Sequence, residues 1–327
     1  MAWLAARCAV LALALTGLNA PARAQSFPSK NVTIVVPLAA GTGMDVLVRL
    51  YGDKLSAALG KPVIVENKPG ASTMLGASQV ATSPPDGHTL VVLTSSALAI
   101  NPTLYKQINY DPNRDFIPIS LYVKSPFILV TNPAVPVQTV PELLKFAKES
   151  TPPLNYASVG AGGLQHLSME FTKARFGLEM THVPYRSTGQ SVTDLAAGHV
   201  ALGFVEAGAS IPLIKDGRLR ALAVSSSTRL PLLPDVPPFS EASGATDYEA
   251  VSWHVLLAPA KTPREIVDRL HDEMKKIMSD PEMKERTANI GLIPFDTPSV
   301  AATADYIKSE QAKWGALVEK LGLKGTQ

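Results

Sequence analysis

The sequence is nearly free of cysteine, since its 327 residues include only Cys8. An intramolecular disulfide needs two cysteines, so no such bond can hold this fold together. A chain of this length can be stabilised by its hydrophobic core alone, and the length favours two domains of ordinary size.

Long apolar runs are also missing, apart from a short one at the N-terminus. Residues 1–24 are typical of a secretory signal peptide, with Arg7 ahead of the apolar residues 8–18 and a small-x-small cleavage site at residues 22–24. The apolar run is too short to span a bilayer. We therefore predict cleavage after Ala24 and a soluble product in the periplasm.

The chain has little net charge, with 30 Lys and Arg against 28 Asp and Glu. Loss of residues 1–24 removes Arg7, Arg23 and no acidic residue, which leaves 28 basic against 28 acidic side chains. A neutral protein lacks the basic surface that nucleic acids and anionic membranes attract. We predict that neither is a partner.

Catalytic and metal-binding motifs are absent as well. The sequence contains no GxSxG, HExxH, CxxC, EF-hand or kinase motif, and no two of its six histidines stand at a metal-ligand spacing. Asp45 could act as a general base, but at a helix start it more often caps backbone N–H groups. Glu206 is a lone carboxylate without an acid partner, which is weak evidence for hydrolysis. We predict no catalytic residue, metal or cofactor.

The most informative stretch runs from Asn31 to Gly60. Val32–Val36 is an apolar run that Pro37 terminates, which predicts a buried strand. A loop containing Gly41 and Gly43 follows, and a helical pattern then extends to the glycine at position 60. A strand that enters a helix through a glycine loop presents unpaired N–H groups, and these favour an anion.

This anion is not predicted to be a nucleotide phosphate. No lysine follows the glycines, as a Walker loop requires, and Val46 interrupts a GxGxxG pattern. For a single loop, a tight turn that serves only the fold is an equally good interpretation.

The same arrangement occurs a second time in the chain. Residues 154–157 predict a strand, residues 158–163 (SVGAGG) a glycine loop without lysine, and a helix follows from Leu164. His166 lies just inside this helix, where it could reach a cleft or serve as a cap or packing residue. The strand at Thr89–Thr94 ends in the hydroxyls of Ser95 and Ser96. Because ligands bind at the carboxyl ends of strands in such sheets, we predict that both loops face one cleft.

Two extended segments predict that the chain passes between two lobes. One crossing is expected near residues 123–125 and the return within residues 250–258. Lobe 1 would comprise residues 25–123 and 255–327, and lobe 2 residues 124–254. The sequence also predicts helices that begin at the Thr-Pro or Asp-Pro pairs of Thr262, Asp280 and Thr297, with a capping box at the first.

Nine stretches spread over the chain carry a recognisable pattern: FPSKNVTIVVP, PVIVENKPGAS, PPDGHTLVV, INPTLYKQINYDPNRDFIPISL, LNYASVGAGGLQHLSMEF, HVPYRS, KDGRLRALAVSS, LPDVPPFSEA and APAKTP. Together they resemble the Bug family of extracytoplasmic solute receptors, the binding components of tripartite tricarboxylate transporters. The resemblance implies an α/β fold, the type II periplasmic-binding-protein clamshell, with two α/β lobes joined by two crossover strands. It also implies that a small organic carboxylate binds between the lobes and that membrane subunits of such a transporter are partners.

The predicted ligand-binding set combines the two loops with neighbouring strand ends and helix starts. It consists of Leu38, Ala39, Gly41, Thr42, Gly43, Asp45, Ser95, Ser96, Ser158, Gly160, Gly162, His166, Tyr185, Arg186 and Glu206. We expect a monomer.

Three positions depart from the pattern usual in the Bug family. Met44 replaces a hydroxyl, Glu206 stands near the place of an aspartate that could meet an amino group, and Arg186 adds a guanidinium. These departures favour a non-amino mono- or dicarboxylate with an apolar or aromatic body. An exported enzyme on the same clamshell and a sensing adaptor for a membrane kinase are the alternatives.

Overall fold

The computed structural model describes residues 27–70 and 73–327. The predicted signal peptide and its cleavage site lie outside the described residues. Within the described part, no helix combines the length and apolar composition that a membrane span needs.

Strands and helices alternate along most of the chain. The strands are β1 Val32–Val36, β2 Val63–Asn67, β3 Thr89–Thr94, β4 Phe116–Ser125, β5 Phe127–Thr131, β6 Leu154–Ser158, β7 Met180–Pro184, β8 Leu202–Glu206, β9 Arg220–Val224, β10 Ser252–Pro259 and β11 Ile293–Pro294. The helices are α1 Gly43–Leu59, α2 Met74–Ala81, α3 Asn101–Leu104, α4 Val140–Glu149, α5 Leu164–Phe176, α6 Thr188–Ala197, α7 Ala207–Lys215, α8 Phe239–Ser243, α9 Arg264–Ser279, α10 Pro281–Asn289 and α11 Val300–Lys320. A π-helical turn, Ser96–Ile100, precedes α3.

Both predicted strand–loop–helix units are confirmed. In the first, β1 ends at Val36 and α1 begins at Gly43, and Gly60 closes the helix in the left-handed region with φ 70°. In the second, β6 ends at Ser158 and α5 begins at Leu164. These units are predictable because strand, glycine loop and cap are all local signals.

The strands form two mixed sheets rather than purely parallel ones. The order in the first sheet is β11-β4-β10-β3-β1-β2, and in the second it is β7-β6-β8-β5-β9. In the first sheet, β1 is parallel to β2 and β3, whereas β10 is antiparallel to both β3 and β4. In the second, β6 is parallel to β7 and β8, and β5 is antiparallel to β8 and β9. We call the part built on the first sheet the first lobe and that built on the second sheet the second lobe.

The chain passes between the lobes at two adjacent points. Only Pro126 separates β4 of the first sheet from β5 of the second. On the return, the Ala250 N–H still bonds to the carbonyl of Ser225, and two residues later Ser252 pairs with Ser125 in the first sheet. This is the two-lobed α/β clamshell that the sequence predicts. The predicted division at residues 123 and 254 remains a prediction.

Two of the predicted helix caps are wrong, although both helices are present. Thr262 does not cap α9: Pro263 precedes the helix without a side-chain cap, and the buried Thr262 hydroxyl has no hydrogen-bond partner among the described residues. The last helix begins at Val300 with Ser299 as its cap, and Thr297 instead bonds to Ser120 across 3.3 Å. In both cases a Thr-Pro pair resembles a helix cap in the sequence, but the threonine is buried and does not cap the helix.

The two lobes share apolar packing. One buried cluster contains Val91 and Leu104 of the first lobe together with Leu164 and Phe204 of the second. Trp253 in β10 belongs to the same cluster, and its indole N–H donates to Glu310 of α11 across 3.0 Å. Contact between the lobes therefore rests on hydrophobic burial as well as on the two crossings.

Candidate functional site: a cavity between the lobes

A cavity of about 460 Å³ lies between the lobes. Its first-lobe wall consists of Pro37, Leu38, Ala39, Pro69, Gly70, Thr73, Thr94, Ser96, Asn101, Leu104, Tyr105, Ser125, Ser252 and His254. Its second-lobe wall consists of Phe127, Val159, Gly160, Ala161, Gly162, Gly163, Leu164, Gln165, Arg186 and Glu206. Both predicted glycine loops thus contribute to one cavity, in agreement with the position of the strand carboxyl ends.

The first loop, residues 37–42, is fixed from behind by Asp45. This carboxylate accepts hydrogen bonds from the Gly41 N–H and the Asn67 amide, both across 2.9 Å, and pairs with Arg49. The Asn67 amide also donates to the carbonyl of Leu38. Burial opposes ionisation of Asp45, but these hydrogen bonds outweigh it and lower its pKa. Asp45 therefore stays charged and organises the loop.

The second loop, residues 159–163, is held in a similar way by side chains beneath it. The Gly162 N–H donates to Nδ1 of His166 across 3.0 Å. Ser158 Oγ donates to the carbonyl of Gly160 across 3.0 Å and lies 2.6 Å from Nε2 of His182. Gly160 and Gly162 adopt φ values of 98° and 75°, which side chains with a Cβ rarely adopt. The loop thus depends on its glycines and on two imidazoles.

These hydrogen bonds define the protonation of the two histidines. Because the Gly162 N–H is a donor, Nδ1 of His166 must be unprotonated, and its proton resides on Nε2. The single proton of the Ser158 hydroxyl goes to a carbonyl, so Nε2 of His182 is the donor toward Ser158. Burial, with the nearby His182, lowers the pKa of His166 to about 4, and burial also lowers the pKa of His182. His166 is therefore neutral at physiological pH.

Several backbone donors of the second loop remain open. Within residues 27–70 and 73–327, no protein group accepts from the N–H of Ala161, Gly163 or Leu164. All three residues line the cavity, and the last two stand at the start of α5. The positive end of a helix and unpaired N–H groups together favour an anion.

Hydroxyl and imidazole groups of the first lobe face the same space. Ser96 and Thr94 lie at the end of β3, and Ser125 and Ser252 lie where the chain passes between the lobes. His254 is buried, and burial lowers its pKa to about 4, so it lines the cavity as a neutral group. The first-lobe wall offers polar groups without adding a charge of its own.

Arg186 and Glu206 are the charged side chains of the described cavity wall. Both are exposed, and neither forms an ion pair with another described residue. Loss of bulk water beside Glu206 raises its pKa. No group of three His, Cys, Asp or Glu side chains converges among the described residues as a metal site would.

The predicted binding residues divide into two groups. Leu38, Ala39, Ser96, Gly160, Gly162, Arg186 and Glu206 line the cavity. Gly41, Thr42, Gly43, Asp45, Ser95, Ser158, His166 and Tyr185 lie outside its wall. Members of the second group hold their neighbours instead: Thr42 caps α1, Ser95 meets Ser252 across 3.1 Å, and the Tyr185 N–H bonds to the carbonyl of Ser158.

Sequence reasoning missed part of the wall. Ser125 and Ser252 could have been predicted, because the sequence has a serine at each of the two predicted crossings. His254 and Asn101 had no local signal, since non-local strand pairing and the π-helical turn bring them to the cavity.

Comparison with known proteins identifies the family. The family model described as "Tripartite tricarboxylate transporter family receptor" matches residues 47–323. This chain belongs to that family. A relative from Pseudomonas sp. (strain P51), "UPF0065 protein in tcbD-tcbE intergenic region", is 35% identical over 97% of this chain and 94% of its own length.

Solved structures of similar sequence support the same assignment. "R. palustris Rpa4515 with adipate" has a TM-score of 0.82 and 33% identity, and the alignment covers 90% of this chain and 98% of that one. "Structure of periplasmic binding protein BugD" has a TM-score of 0.78 and 30% identity, covering 91% and 99%. The predicted resemblance to the Bug receptors and the type II clamshell fold are thereby confirmed.

Proposed function

We propose that this tripartite tricarboxylate transporter receptor captures a small organic carboxylate in the cavity between its lobes. The observation that carries the proposal is the set of open N–H groups at Ala161, Gly163 and Leu164, residues that line the cavity near a helix start. The adipate-bound relative supports the same ligand class. The resemblance to the Bug family makes di-, tri- and aromatic carboxylates the first ligands to test.

The donors around the cavity are sufficient for useful affinity. A charge-assisted hydrogen bond contributes about 1.5–3 kcal/mol. A few such bonds, less the free energy lost on association, reach micromolar affinity, about −8 kcal/mol. Arg186 adds a permanent positive charge on the second-lobe wall.

We assign two roles to the predicted binding residues. Those that line the cavity contact the ligand directly or through water. The residues behind the loops, Asp45, Ser158 and His166, position the donors. No step of this function requires a cofactor, a metal or a catalytic residue.

The receptor acts as an exported monomer. After cleavage following Ala24 it works in the periplasm and delivers its ligand to the membrane subunits of a tripartite tricarboxylate transporter. Nucleic acid is not a partner.

A carboxylate library tests the proposal. We expect at least one carboxylate to raise the melting temperature and to be recovered chemically unchanged, as determined by mass spectrometry after incubation. Turnover of a ligand, lost in Asp45→Asn or Glu206→Gln, would instead establish an exported enzyme. Retention of signalling to a membrane kinase in cells without the transporter subunits would establish a sensing adaptor.

A further inference from the structure

Glu206 occupies a distinctive place at the edge of the second sheet. It is the last residue of β8 and precedes α7, but its side chain does not cap that helix. The side chain is exposed to the cavity. No hydrogen bond or ion pair to its carboxylate exists among the described residues.

The sheet order places Glu206 and Arg186 on opposite sides of the second loop. That loop follows β6, which lies between β7 and β8 in the sheet. Because β6 is parallel to both neighbours, the three strands end at the same edge. Arg186 follows β7, and Glu206 ends β8. The two charged residues therefore stand about two strand spacings apart, roughly 10 Å, with the open N–H groups between them.

This strand order places a positive charge, Arg186, at one end of the second-lobe wall and a negative charge, Glu206, at the other. A carboxylate held by the open N–H groups and Arg186 directs the rest of the ligand toward Glu206 and the crossing, where Phe127 pairs with Glu206. A second carboxylate at that end would meet a like charge, whereas a hydrogen-bond donor would find an acceptor without a partner. The nearby protein walls exclude part of the bulk water around Glu206, and this loss of solvation raises its pKa.

We propose, on the basis of the function proposed above, that Glu206 selects carboxylates that carry a hydrogen-bond donor at the opposite end. An ammonium or hydroxyl group satisfies this requirement, and a fully ionised dicarboxylate does not. This assignment replaces the sequence-based expectation of a non-amino ligand.

Three ligands of equal chain length test the assignment: 6-aminohexanoate, 6-hydroxyhexanoate and adipate. Calorimetric titration at pH 7.5 compares the wild type, Glu206→Gln and Glu285→Gln. The last is the matched control, because Glu285 is exposed on α10 and lies outside the cavity wall. We expect the wild type to bind 6-aminohexanoate most tightly and adipate least.

Glu206→Gln should lower the affinity for 6-aminohexanoate at least tenfold and raise the affinity for adipate. Glu285→Gln should leave the order of the three affinities unchanged. Glu206→Ala also lacks the charge and should shift both affinities in the same direction as Glu206→Gln. If Glu206→Gln folds poorly, Glu206→Ala takes its place in the test. Unchanged relative affinities in both Glu206 variants would overturn the assignment and leave the receptor function intact. If the wild type binds neither these ligands nor any other carboxylate, the proposed function fails and the assignment with it.

Discussion

The backbone N–H of Gly162 donates a hydrogen bond to Nδ1 of His166 across 3.0 Å. His166 is only 6% exposed and lies outside the cavity wall, yet it holds a loop that lines the cavity. An imidazole beneath the loop thus holds the backbone at Gly162, between the open donors of Ala161 and Gly163. The relationship makes His166 a positioning residue.

Replacing this acceptor should reduce the affinity for carboxylates, although His166 itself does not contact the ligand. His166→Phe leaves the Gly162 N–H unpaired and should weaken carboxylate binding about tenfold, or about 1.4 kcal/mol. His166→Asn can keep an acceptor near the position of Nδ1 and should remain close to wild type. Calorimetric titration measures both. Equal affinities for His166→Phe and the wild type would contradict the positioning role.

The stability of the protein should decrease in mild acid. Burial lowers the pKa of both His166 and His254 to about 4, below the usual 6.5. The unfolded chain therefore binds more protons between pH 6.5 and 4, so the free energy of unfolding falls as the pH drops through that window. Each histidine contributes at most about 3 kcal/mol.

Urea denaturation at pH 7 and pH 5 checks this prediction. His254→Gln removes one of the two titrating groups, so the loss of stability between these pH values should be smaller in this variant. Glu206 acts in the opposite sense, because its raised pKa adds stability as pH falls. Because Glu206 is present in both proteins, the difference between the wild type and His254→Gln reports the contribution of His254 alone. An equal loss in variant and wild type would show that His254 does not titrate in this range.

Gly160 and Gly162, two of the glycines that line the cavity, should respond differently to alanine. A Cβ at Gly162 would lie 2.6 Å from Cδ1 of Leu104 in the first lobe, whereas a Cβ at Gly160 has no atom within 4 Å. Both positions have positive φ, which costs an alanine about 1 kcal/mol. Gly160→Ala therefore controls for backbone strain, and Gly162→Ala should lose a further factor of about ten in affinity because it presses against the opposite lobe.

Leu104 provides the check on this explanation. In a double-mutant cycle, Leu104→Ala should restore part of the affinity lost in Gly162→Ala, since it removes the overlapping atoms. Additive effects on affinity would mean that the contact between the lobes is not responsible.

The ion pairs of Asp45 and Asp268 offer a matched test of burial. Each aspartate pairs with an arginine four residues away, but the Asp45 side chain is 4% exposed and that of Asp268 is 49% exposed. Asp45→Asn should lower the free energy of unfolding by about 2 kcal/mol because it disturbs the Gly41 and Arg49 bonds. Asp268→Asn should change it by less than about 0.5 kcal/mol. Equal losses in urea titrations would rule out a structural role for the Asp45 network.

The sequence is most informative where structure is local. The turn at Gly41, the cap at Gly60 and the loop at Gly160 are encoded within a few residues, and all appear in the structure. The cap predicted at Thr262 failed because its buried environment overrides a local signal. The sequence leaves the roles of Asp45 and His166 undecided. Only three-dimensional contacts distinguish a residue that touches the ligand from one that holds the loop.

The central position of β10 has a consequence for synthesis. This strand, Ser252–Pro259, lies between β3 and β4 and joins them into the first sheet. A chain that stops before residue 252 can pair all strands of the second sheet, but it leaves one edge of β3 and both edges of β4 unpaired. Such edges promote aggregation and recognition by quality-control proteases. The nascent polypeptide therefore cannot finish its first lobe until more than three quarters of its length has been made.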